Sequence, residues 1–315
     1  MRLHLLGIEG LTRQDFETLL GNARAMVEIS ERDIKKVPTL RGRTIINLFL
    51  EPSTRTRTSF ELAGKRLSAD VLNISESGSS VKKGETLLDT ARTLEAMAPD
   101  ILVVRHGASG APHLLAKYLK NTSVVNAGDG THEHPTQALL DCLSLTRHFK
   151  EIPRGKTIAI VGDVRHSRVA RSAIFAHHLL GNSIRLVGPP TFVPKEFADP
   201  RAFGGKVTVH HDLGSGLSGV DVVMCLRIQM ERMASHFIPT LDEYASGFGI
   251  SESILRRYAP DCVVLHPGPM NRGVEITSEV ADGPRSLIGL QVNSGVAARM
   301  AVLVSLASVR STVEV

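Results

Sequence analysis

A chain of 315 residues is longer than one domain normally is, since single cores rarely grow beyond about 250–300 residues. Hydrophobic residues form 42% of it and charged residues 22%, which excludes a disordered chain and allows a large core. The net charge is only +5, there is no Lys/Arg-rich run, and aromatic residues form 4% with no tryptophan, so we expect no nucleic-acid partner. The mildly basic balance favours anionic small molecules as ligands.

The cysteines and the two ends of the chain indicate the compartment. Cys142, Cys225 and Cys262 are far apart and form no Cys-x-x-Cys pair, which argues against disulfides and a structural zinc site. The N-terminus has no signal-peptide pattern. The apolar stretch Val296 to Val309 is short for a membrane span and contains Arg299, which favours a packed helix. We therefore expect a soluble, cytoplasmic protein without a membrane partner.

Short β-branched runs alternate with helical patterns along the chain. The strand-like runs are Thr44–Leu50, Asp70–Ile74, Ile101–Arg105, Ser123–Asn126, Thr157–Gly162, Ser183–Gly188, Lys206–His210, Asp221–Cys225 and Cys262–His266. The helix-like stretches are Thr54–Leu67, Glu85–Met97, His113–Leu119, Pro135–Phe149, Ser167–Leu180 and, at the end, roughly Asn293–Val309. Apolar strands interleaved with helices predict an α/β fold with buried parallel sheets, in which ligands bind beyond the carboxyl ends of strands.

A domain boundary is predicted in the segment Lys150–Lys156, where proline and glycine interrupt two periodic patterns. Four strands precede this segment and about five follow it. We therefore predict two doubly wound parallel-sheet domains, residues 1–150 and 151–292. The pattern alone leaves open which domain the last helix packs on.

The first segment with chemical character follows the strand that ends at Leu50. Ser53 and Thr54 are good N-cap residues for the next helix, whose free N–H groups and positive dipole end attract anions. Arg55 adds a guanidinium to these donors. The sequence therefore favours an oxyanion site here over a capped helix with solvated arginines.

The second segment runs from Asn126 to Gln137 through a glycine loop, and Pro135 suits the first turn of a helix. His134 and Gln137 are three residues apart, so both can face one ligand. A turn with surface histidines is the alternative. A zinc site on His132 and His134 is less favoured, because no cysteine or carboxylate cluster completes it.

The third and fourth segments follow strands in the second predicted domain. The third has a strand–turn–helix layout without the glycine pattern of dinucleotide sites, and Arg168 stands where a glycine would be needed. The fourth offers Arg227 and Gln229. Each arginine, taken singly, is as well explained by a structural ion pair as by a ligand.

Two further loops are candidates. Pro267, Gly268 and Pro269 form a rigid loop after a strand, which would expose backbone carbonyls as acceptors. The polar loop from Ser79 to Gly84 could close over an anion, although its composition alone favours a solvated surface loop.

Taken in order, these segments resemble the aspartate/ornithine carbamoyltransferase family, from about Arg43 to Arg299. Ser53 to Arg57 resembles the carbamoyl-phosphate signature of that family, and His134 to Gln137 is its second match. Ornithine enzymes usually carry His-Cys-Leu-Pro where this chain has His-Pro-Gly-Pro from His266. The resemblance is therefore to the catalytic chains that use aspartate.

The resemblance implies an enzyme that makes N-carbamoyl-L-aspartate and phosphate from carbamoyl phosphate and L-aspartate, the committed step of pyrimidine synthesis. The aspartate amine would attack directly, with the oxyanion stabilised and no covalent intermediate. No cofactor and no metal is expected. The fold implied is the two-domain one, with the final helix, about 293–315, returning to the first domain.

Residue roles follow from the same resemblance. The implied phosphate ligands are Ser53, Thr54, Arg55, Thr56 and Arg105, and the implied ligands of the carbonyl oxygen are Thr56, Arg105 and His134. The carbamoyl NH2 would contact Gln137 and the loop Pro267, Gly268 and Pro269. Aspartate would contact Lys83, Arg168, Arg227 and Gln229. The catalytic set would be Arg55, Thr56, Arg105, His134 and Lys83.

The resemblance also implies a homotrimer in which Lys83, with Ser79 or Ser80, reaches the site of a neighbouring subunit. Glu51 would pair with Arg168 and Arg232 when the domains close. Whether regulatory chains or a dihydroorotase bind the trimer stays open. The alternatives are a carbamoyltransferase for ornithine or another amine, a metal-dependent amidohydrolase, and a non-catalytic homologue.

Overall fold

The structure, a computed structural model, describes residues 3–75, 84–229 and 240–313. The chain divides into two compact units, Met1–Leu143 with Asn293–Val315, and Ser144–Val292. The division between them falls inside the helix Pro135–Phe149. The domain boundary at Lys150–Lys156 stays a prediction.

The first unit contains a parallel sheet of four strands. They are β1 (Thr44–Phe49), β2 (Asp70–Ser75), β3 (Ile101–His106) and β4 (Ser123–Asp129), in the spatial order β2-β1-β3-β4. β1, an inner strand, is buried along almost its whole length, as expected for a covered parallel sheet. β4 is also buried although it is the last strand in the order, and Leu5 of the N-terminal segment bridges to its Val125.

Helices connect these strands. They are α1 (Arg13–Glu31), α2 (Thr54–Arg66), α3 (Leu87–Glu95), α4 (Ala111–Tyr118) and α5 (Pro135–Phe149). Short polar side chains begin several of them: Thr12 and Asp15 form a capping box at α1, and Ser53 and Thr86 cap α2 and α3. The caps accept hydrogen bonds from N–H groups that have no partner within the helix.

The second unit contains a parallel sheet of five strands. They are β5 (Thr157–Val161), β6 (Ser183–Val187), β7 (Val207–His210), β8 (Val222–Cys225) and β9 (Val263–Leu265), in the order β7-β6-β5-β8-β9. Its helices are α6 (Arg168–Leu179), α7 (Pro200–Phe203), α8 (Leu213–Leu217), α9 (Leu241–Phe248), α10 (Glu252–Tyr258) and α11 (Ser278–Ala281), with a 3-10 turn at Lys195–Ala198.

The predicted α/β class with two parallel sheets is confirmed. Each predicted strand has an observed counterpart, and most of the predicted strand ends agree with the observed ends to within about one residue. β4 differs more, because it continues beyond the predicted end at Asn126 to Asp129. The sequence analysis did not predict α1, in which apolar and charged residues are mixed so that the helical pattern is weak. It also did not predict the short helices α7 to α11. Helices of one or two turns carry too few residues to show a period.

The last helix, α12 (Ile288–Val313), is longer than predicted and begins before Asn293. From Asn293 onward it belongs to the first unit, so the predicted return of this helix is confirmed. Ile288–Val309 is long and apolar enough to cross a membrane. The argument from the sequence that this stretch is too short for a membrane span therefore does not hold. Two-thirds of that stretch, 67%, is buried inside the protein, which is typical of a core helix.

Strand order reverses once in each sheet. In the first sheet β2 lies on one side of β1 and β3 on the other, and in the second β6 and β8 flank β5. Such reversal points leave a crevice beyond the carboxyl ends of the two central strands, where open α/β sheets bind ligands. The segments after β1, β3, β5 and β8 are therefore the candidates for function.

We predict that Gly64 in α2 is required by close packing, whereas Gly21 in α1 is not. A Cβ at Gly64 would lie 2.6 Å from Val71 Cγ2 and 3.2 Å from Ile45 Cδ1, but at exposed Gly21 it would meet nothing within 4 Å. Overpacking costs about 1–3 kcal/mol, more than the helix propensity of about 1 kcal/mol gained by alanine. Gly64→Ala should therefore lower the free energy of unfolding in urea, and Gly21→Ala should raise it slightly. A Gly64→Ala protein at least as stable as the parent would contradict the packing.

Candidate active site

The N-terminus of α2 forms the first part of the site. Ser53 has an extended backbone, and its Oγ accepts a hydrogen bond from the Thr56 N–H at 3.3 Å. The first turn contains no acidic residue, while Thr54 and Arg55 are exposed there. Free N–H groups, hydroxyls and a guanidinium at a helix N-terminus make an anion-binding site.

Arg105 stands at the end of the neighbouring strand. In the sheet it is opposite Phe49, so its side chain leaves the same edge as the loop into α2. Its Nη1 donates to the Ala127 carbonyl and its Nη2 contacts Glu51 Oε1, both at 3.3 Å. With only 11% of its side chain exposed, the guanidinium is held at the reversal point rather than solvated.

Glu51 thus pairs with Arg105 in this structure. Its predicted contact with Arg168 and Arg232 on domain closure stays a prediction, since Arg232 lies outside the described residues. The same holds for the loop residues Ser79, Ser80 and Lys83, which also lie outside them.

His134 and Gln137 begin α5, and both are buried. Gln137 Nε2 donates to Asp141 Oδ1 at 2.9 Å, one turn further along the helix. Because a carboxylate only accepts hydrogen bonds, this contact fixes the amide so that its Oε1 is the atom left to accept from a ligand N–H. Asp141 was missed from the sequence, although its position four residues after Gln137 was a signal for such a contact.

A buried carboxylate holds the loop that leads to His134. Asp129 is fully buried and accepts hydrogen bonds from the Gly110 N–H at 2.7 Å, Asn126 Nδ2 at 2.8 Å and the Glu133 N–H at 3.1 Å. Gly130 has a φ of +45°, and a Cβ there would lie 2.7 Å from the Ser109 backbone nitrogen. The loop conformation is therefore fixed by a buried carboxyl group and by a glycine that no other residue replaces.

The second reversal point joins the segments after β5 and β8. Asp163 Oδ1 lies 2.8 Å from His166 Nδ1, and Asp163 Oδ2 accepts from the Gln229 N–H at 3.4 Å. Burial raises the pKa of Asp163, and the neighbouring His166 opposes that shift. Arg168 is buried as the first residue of α6, and Arg227 is half-buried. Both arginines therefore follow strands that end at the same edge of this sheet.

The loop after β9 is held by a buried pair that the sequence reading missed. His266 Nδ1 accepts from the Gly268 N–H at 2.9 Å, so Nε2 carries the proton that faces Glu275 Oε1 at 3.2 Å. Glu275 also accepts from the Asn271 N–H. These bonds fix the loop of Pro267, Gly268 and Pro269, in which the Gly268–Pro269 bond is cis.

Comparison with known proteins gives one consistent result. Residues 3–147 match the carbamoyl-P binding domain of aspartate/ornithine carbamoyltransferases, and residues 154–306 match their Asp/Orn binding domain. The aspartate carbamoyltransferase catalytic subunit of Magnetococcus marinus is 56% identical over 307 residues, which cover 96% of this chain and 92% of that protein.

Solved structures are similar over the same length. Aspartate transcarbamoylase from Trypanosoma cruzi, in complex with carbamoyl phosphate and aspartate, has a TM-score of 0.85 at 32% identity and covers 96% of both chains. Ornithine carbamoyltransferase from Pyrococcus furiosus has a TM-score of 0.82 at 28% identity and covers 95% of both.

We predict that the α2 N-terminus binds inorganic phosphate through Arg55 but not through Arg57. Arg57 lies two residues further on. The pKa of Glu61 is lowered mainly by the hydrogen bond from Lys65, and the nearby charge of Arg57 adds to that effect. A charge-assisted hydrogen bond contributes about 1.5–3 kcal/mol, so Arg55→Ala should weaken phosphate binding about tenfold or more, and Arg57→Ala should leave it nearly unchanged. Isothermal titration with phosphate measures both; equal affinities for the two variants would contradict the site.

Proposed function

This chain belongs to the aspartate/ornithine carbamoyltransferase family, and we propose that it transfers the carbamoyl group of carbamoyl phosphate to the amine of L-aspartate. The products are N-carbamoyl-L-aspartate and phosphate, and the reaction is the committed step of pyrimidine biosynthesis. The observation that carries the proposal is identity of 55–59% to aspartate carbamoyltransferase catalytic subunits along nearly the whole chain.

Carbamoyl phosphate fits the first reversal point. Its phosphate accepts hydrogen bonds from three kinds of donor in this proposal. They are the hydroxyls of Ser53, Thr54 and Thr56, the N–H groups of the α2 N-terminus, and the guanidiniums of Arg55 and Arg105. Since Arg105 is already held by Ala127 and Glu51, little side-chain freedom is lost on binding.

Two of the groups proposed to position the carbamoyl group, Arg105 and Gln137, are held in place before the substrate binds. Thr56, Arg105 and His134 donate to the carbonyl oxygen, on which negative charge develops when the amine attacks. Gln137 Oε1 accepts from the carbamoyl NH2, because Asp141 holds the other end of the Gln137 amide. From the family resemblance, the carbonyls of Pro267 and Gly268 are proposed as acceptors for the same NH2 group, and His266 holds their loop.

L-Aspartate fits the second reversal point. Arg168, Arg227 and Gln229 there bind its carboxylates, as guanidiniums match carboxylates in charge and shape. Ornithine has a cationic side chain, and two arginines would repel it. The neutral amine attacks directly, the C–O bond to phosphate breaks, and the departing phosphate accepts the amine proton.

We further propose a cytoplasmic homotrimer in which Lys83, with Ser79 or Ser80, completes the site of the neighbouring subunit. The support is the family resemblance and the chemistry of the reaction. Two substrates that are both anions repel each other when they are brought together, and another cation lowers that cost.

A substrate comparison tests the proposed function. Colorimetric assay of the purified enzyme should show carbamoyl aspartate formation with L-aspartate and no ureido product with L-ornithine. Arg227→Ala should raise the KM for aspartate about tenfold or more, with much less effect on the KM for carbamoyl phosphate, because only aspartate has a carboxylate there. Product from ornithine would refute the choice of substrate, and equal changes in both KM values would make Arg227 a structural residue.

A hybrid experiment tests the shared site. Lys83→Ala and His134→Ala should each be nearly inactive, since each removes one side of the composite site. After subunit exchange, mixed trimers contain some sites with an intact Lys83 from one subunit and an intact His134 from another, so part of the activity should return. If exchange is shown by mass-tagged subunits and the mixture stays as inactive as its parents, each subunit has its own complete site.

A further inference from the structure

Two buried polar side chains lie behind Gln137 in the first unit. Asp141 accepts a hydrogen bond from Gln137 Nε2 at 2.9 Å, and Arg299 of α12 is buried near Asp141. Neither residue belongs to the set proposed to contact the substrates. We propose that Asp141 and Arg299 are positioning residues, which act through Gln137 to select a carbamoyl group over an acetyl group. The inference rests on the proposed function, because it concerns the substrate of that reaction.

The direction of the Gln137 amide decides which ligand group fits beside it. An amide has a donor end and an acceptor end, and Asp141 uses the Nε2 end of Gln137. The Oε1 end is therefore presented to the ligand. A carbamoyl NH2 can donate to this oxygen, whereas the methyl of an acetyl group cannot and would leave an acceptor of a buried side chain unpaired. In the reversed amide, two NH2 groups would face each other.

The Arg299 guanidinium is held inside the unit by several contacts. Its Nη1 donates to the Gly295 carbonyl at 2.8 Å, and its Cζ lies 5.2 Å from the centre of the Phe60 ring. A Cβ at Gly295 would lie 2.9 Å from Nη1, so the glycine leaves room for the guanidinium. Burial lowers the pKa of Arg299 to about 10, and the nearby Asp141 opposes that shift. Arg299 is therefore a cation at neutral pH.

A fixed cation near Asp141 favours oxygen over N–H groups at that position. Electrostatic interactions are stronger in a buried environment than in water, so this preference carries weight there. The carboxyl group of Asp141 has an oxygen at both ends and can present one to Gln137 while the other stays near Arg299. In an Asp141→Asn variant, the new amide would turn its oxygen towards Arg299 and its NH2 towards Gln137. The Gln137 amide would then reverse and present Nε2 to the substrate.

Kinetics with carbamoyl phosphate and inhibition by acetyl phosphate test this inference. The two compounds share the phosphate and the carbonyl oxygen and differ in NH2 against methyl. Asp141→Asn should lower kcat/KM for carbamoyl phosphate about tenfold or more. The Ki of acetyl phosphate, measured as a competitive inhibitor against carbamoyl phosphate, should change less than about threefold, because its methyl takes no hydrogen bond from Gln137.

The matched control is Cys142→Ala, which changes a buried residue next to Asp141 on α5. It disturbs the packing of the same helix without changing the acceptor for Gln137. The ratio of kcat/KM for carbamoyl phosphate to the Ki of acetyl phosphate should therefore stay as in the parent.

A double variant tests the part played by Arg299. Without the cation, the new amide can turn its oxygen to Gln137, so adding Arg299→Met to Asp141→Asn should restore part of the lost kcat/KM. The double variant also leaves no buried charge without a partner, which proteins tolerate better than the loss of one member alone. If circular dichroism shows that Asp141→Asn does not fold, the double variant is compared with the parent instead. It should then show a fall confined to carbamoyl phosphate.

The outcomes distinguish this inference from the proposed function. A parent enzyme that makes no carbamoyl aspartate refutes the proposed function, and the inference falls with it. If the parent is active and Asp141→Asn weakens carbamoyl phosphate use and acetyl phosphate binding equally, Asp141 is a structural residue and only the inference is overturned. An unchanged kcat/KM for carbamoyl phosphate overturns it as well. No recovery in the double variant overturns the role of Arg299.

Discussion

The reversal of strand order beside β1 and beside β5 is the constraint on which the rest of the structure depends. A parallel sheet has all its carboxyl ends on one edge, and at a reversal the loops from neighbouring strands diverge to opposite faces. The chain can therefore place Ser53 and Arg105, which are far apart in sequence, at one crevice, and Asp163 and Arg227 at another. Neither crevice needs a long loop to reach it.

Buried carboxylates hold the loops at these crevices. Asp129, Asp163 and Glu275 are each almost inaccessible and accept hydrogen bonds from backbone N–H groups of the adjoining loop. A loop has little apolar surface with which to fix itself, and a buried acceptor left unpaired is costly, so each carboxylate and its loop stabilise one conformation. The positively charged and hydroxyl side chains proposed for binding are thus supported by loops that buried carboxyl groups hold in place.

The sequence predicted the strands and the residues at their carboxyl ends well, because both depend on local patterns. Apolar β-branched runs indicate strands such as β5, and an N-cap followed by arginine indicates the α2 site. Asp141 stands four residues after Gln137, a signal that the sequence analysis did not use. Asp129 and Glu275 could not be predicted in the same way, because they resemble ordinary surface acids in the sequence and the folded loops bring them to the Gly110 N–H and to His266.

The histidines show the same limit. From spacing alone, His132 and His134 are a pair that could share zinc, although the lack of a cysteine or carboxylate cluster makes that site the less favoured hypothesis. In the structure His134 is buried at the start of α5, while His132 turns to Asp129 and faces His113 from α4. The residue that decides this is Gly130, whose positive φ bends the loop so that two nearby imidazoles take different environments.

The C-terminal helix has a role beyond packing. Arg299 is buried in it, with its guanidinium 5.2 Å above the Phe60 ring of α2, and burial lowers its pKa to about 10 while Asp141 opposes that shift. The residue is therefore still charged at neutral pH, and it attracts Asp141. Asp141 accepts from Gln137 Nε2, which sets the direction of the Gln137 amide. The return of the last helix to the first unit thus links the end of the chain to the orientation of a side chain proposed to contact the substrate.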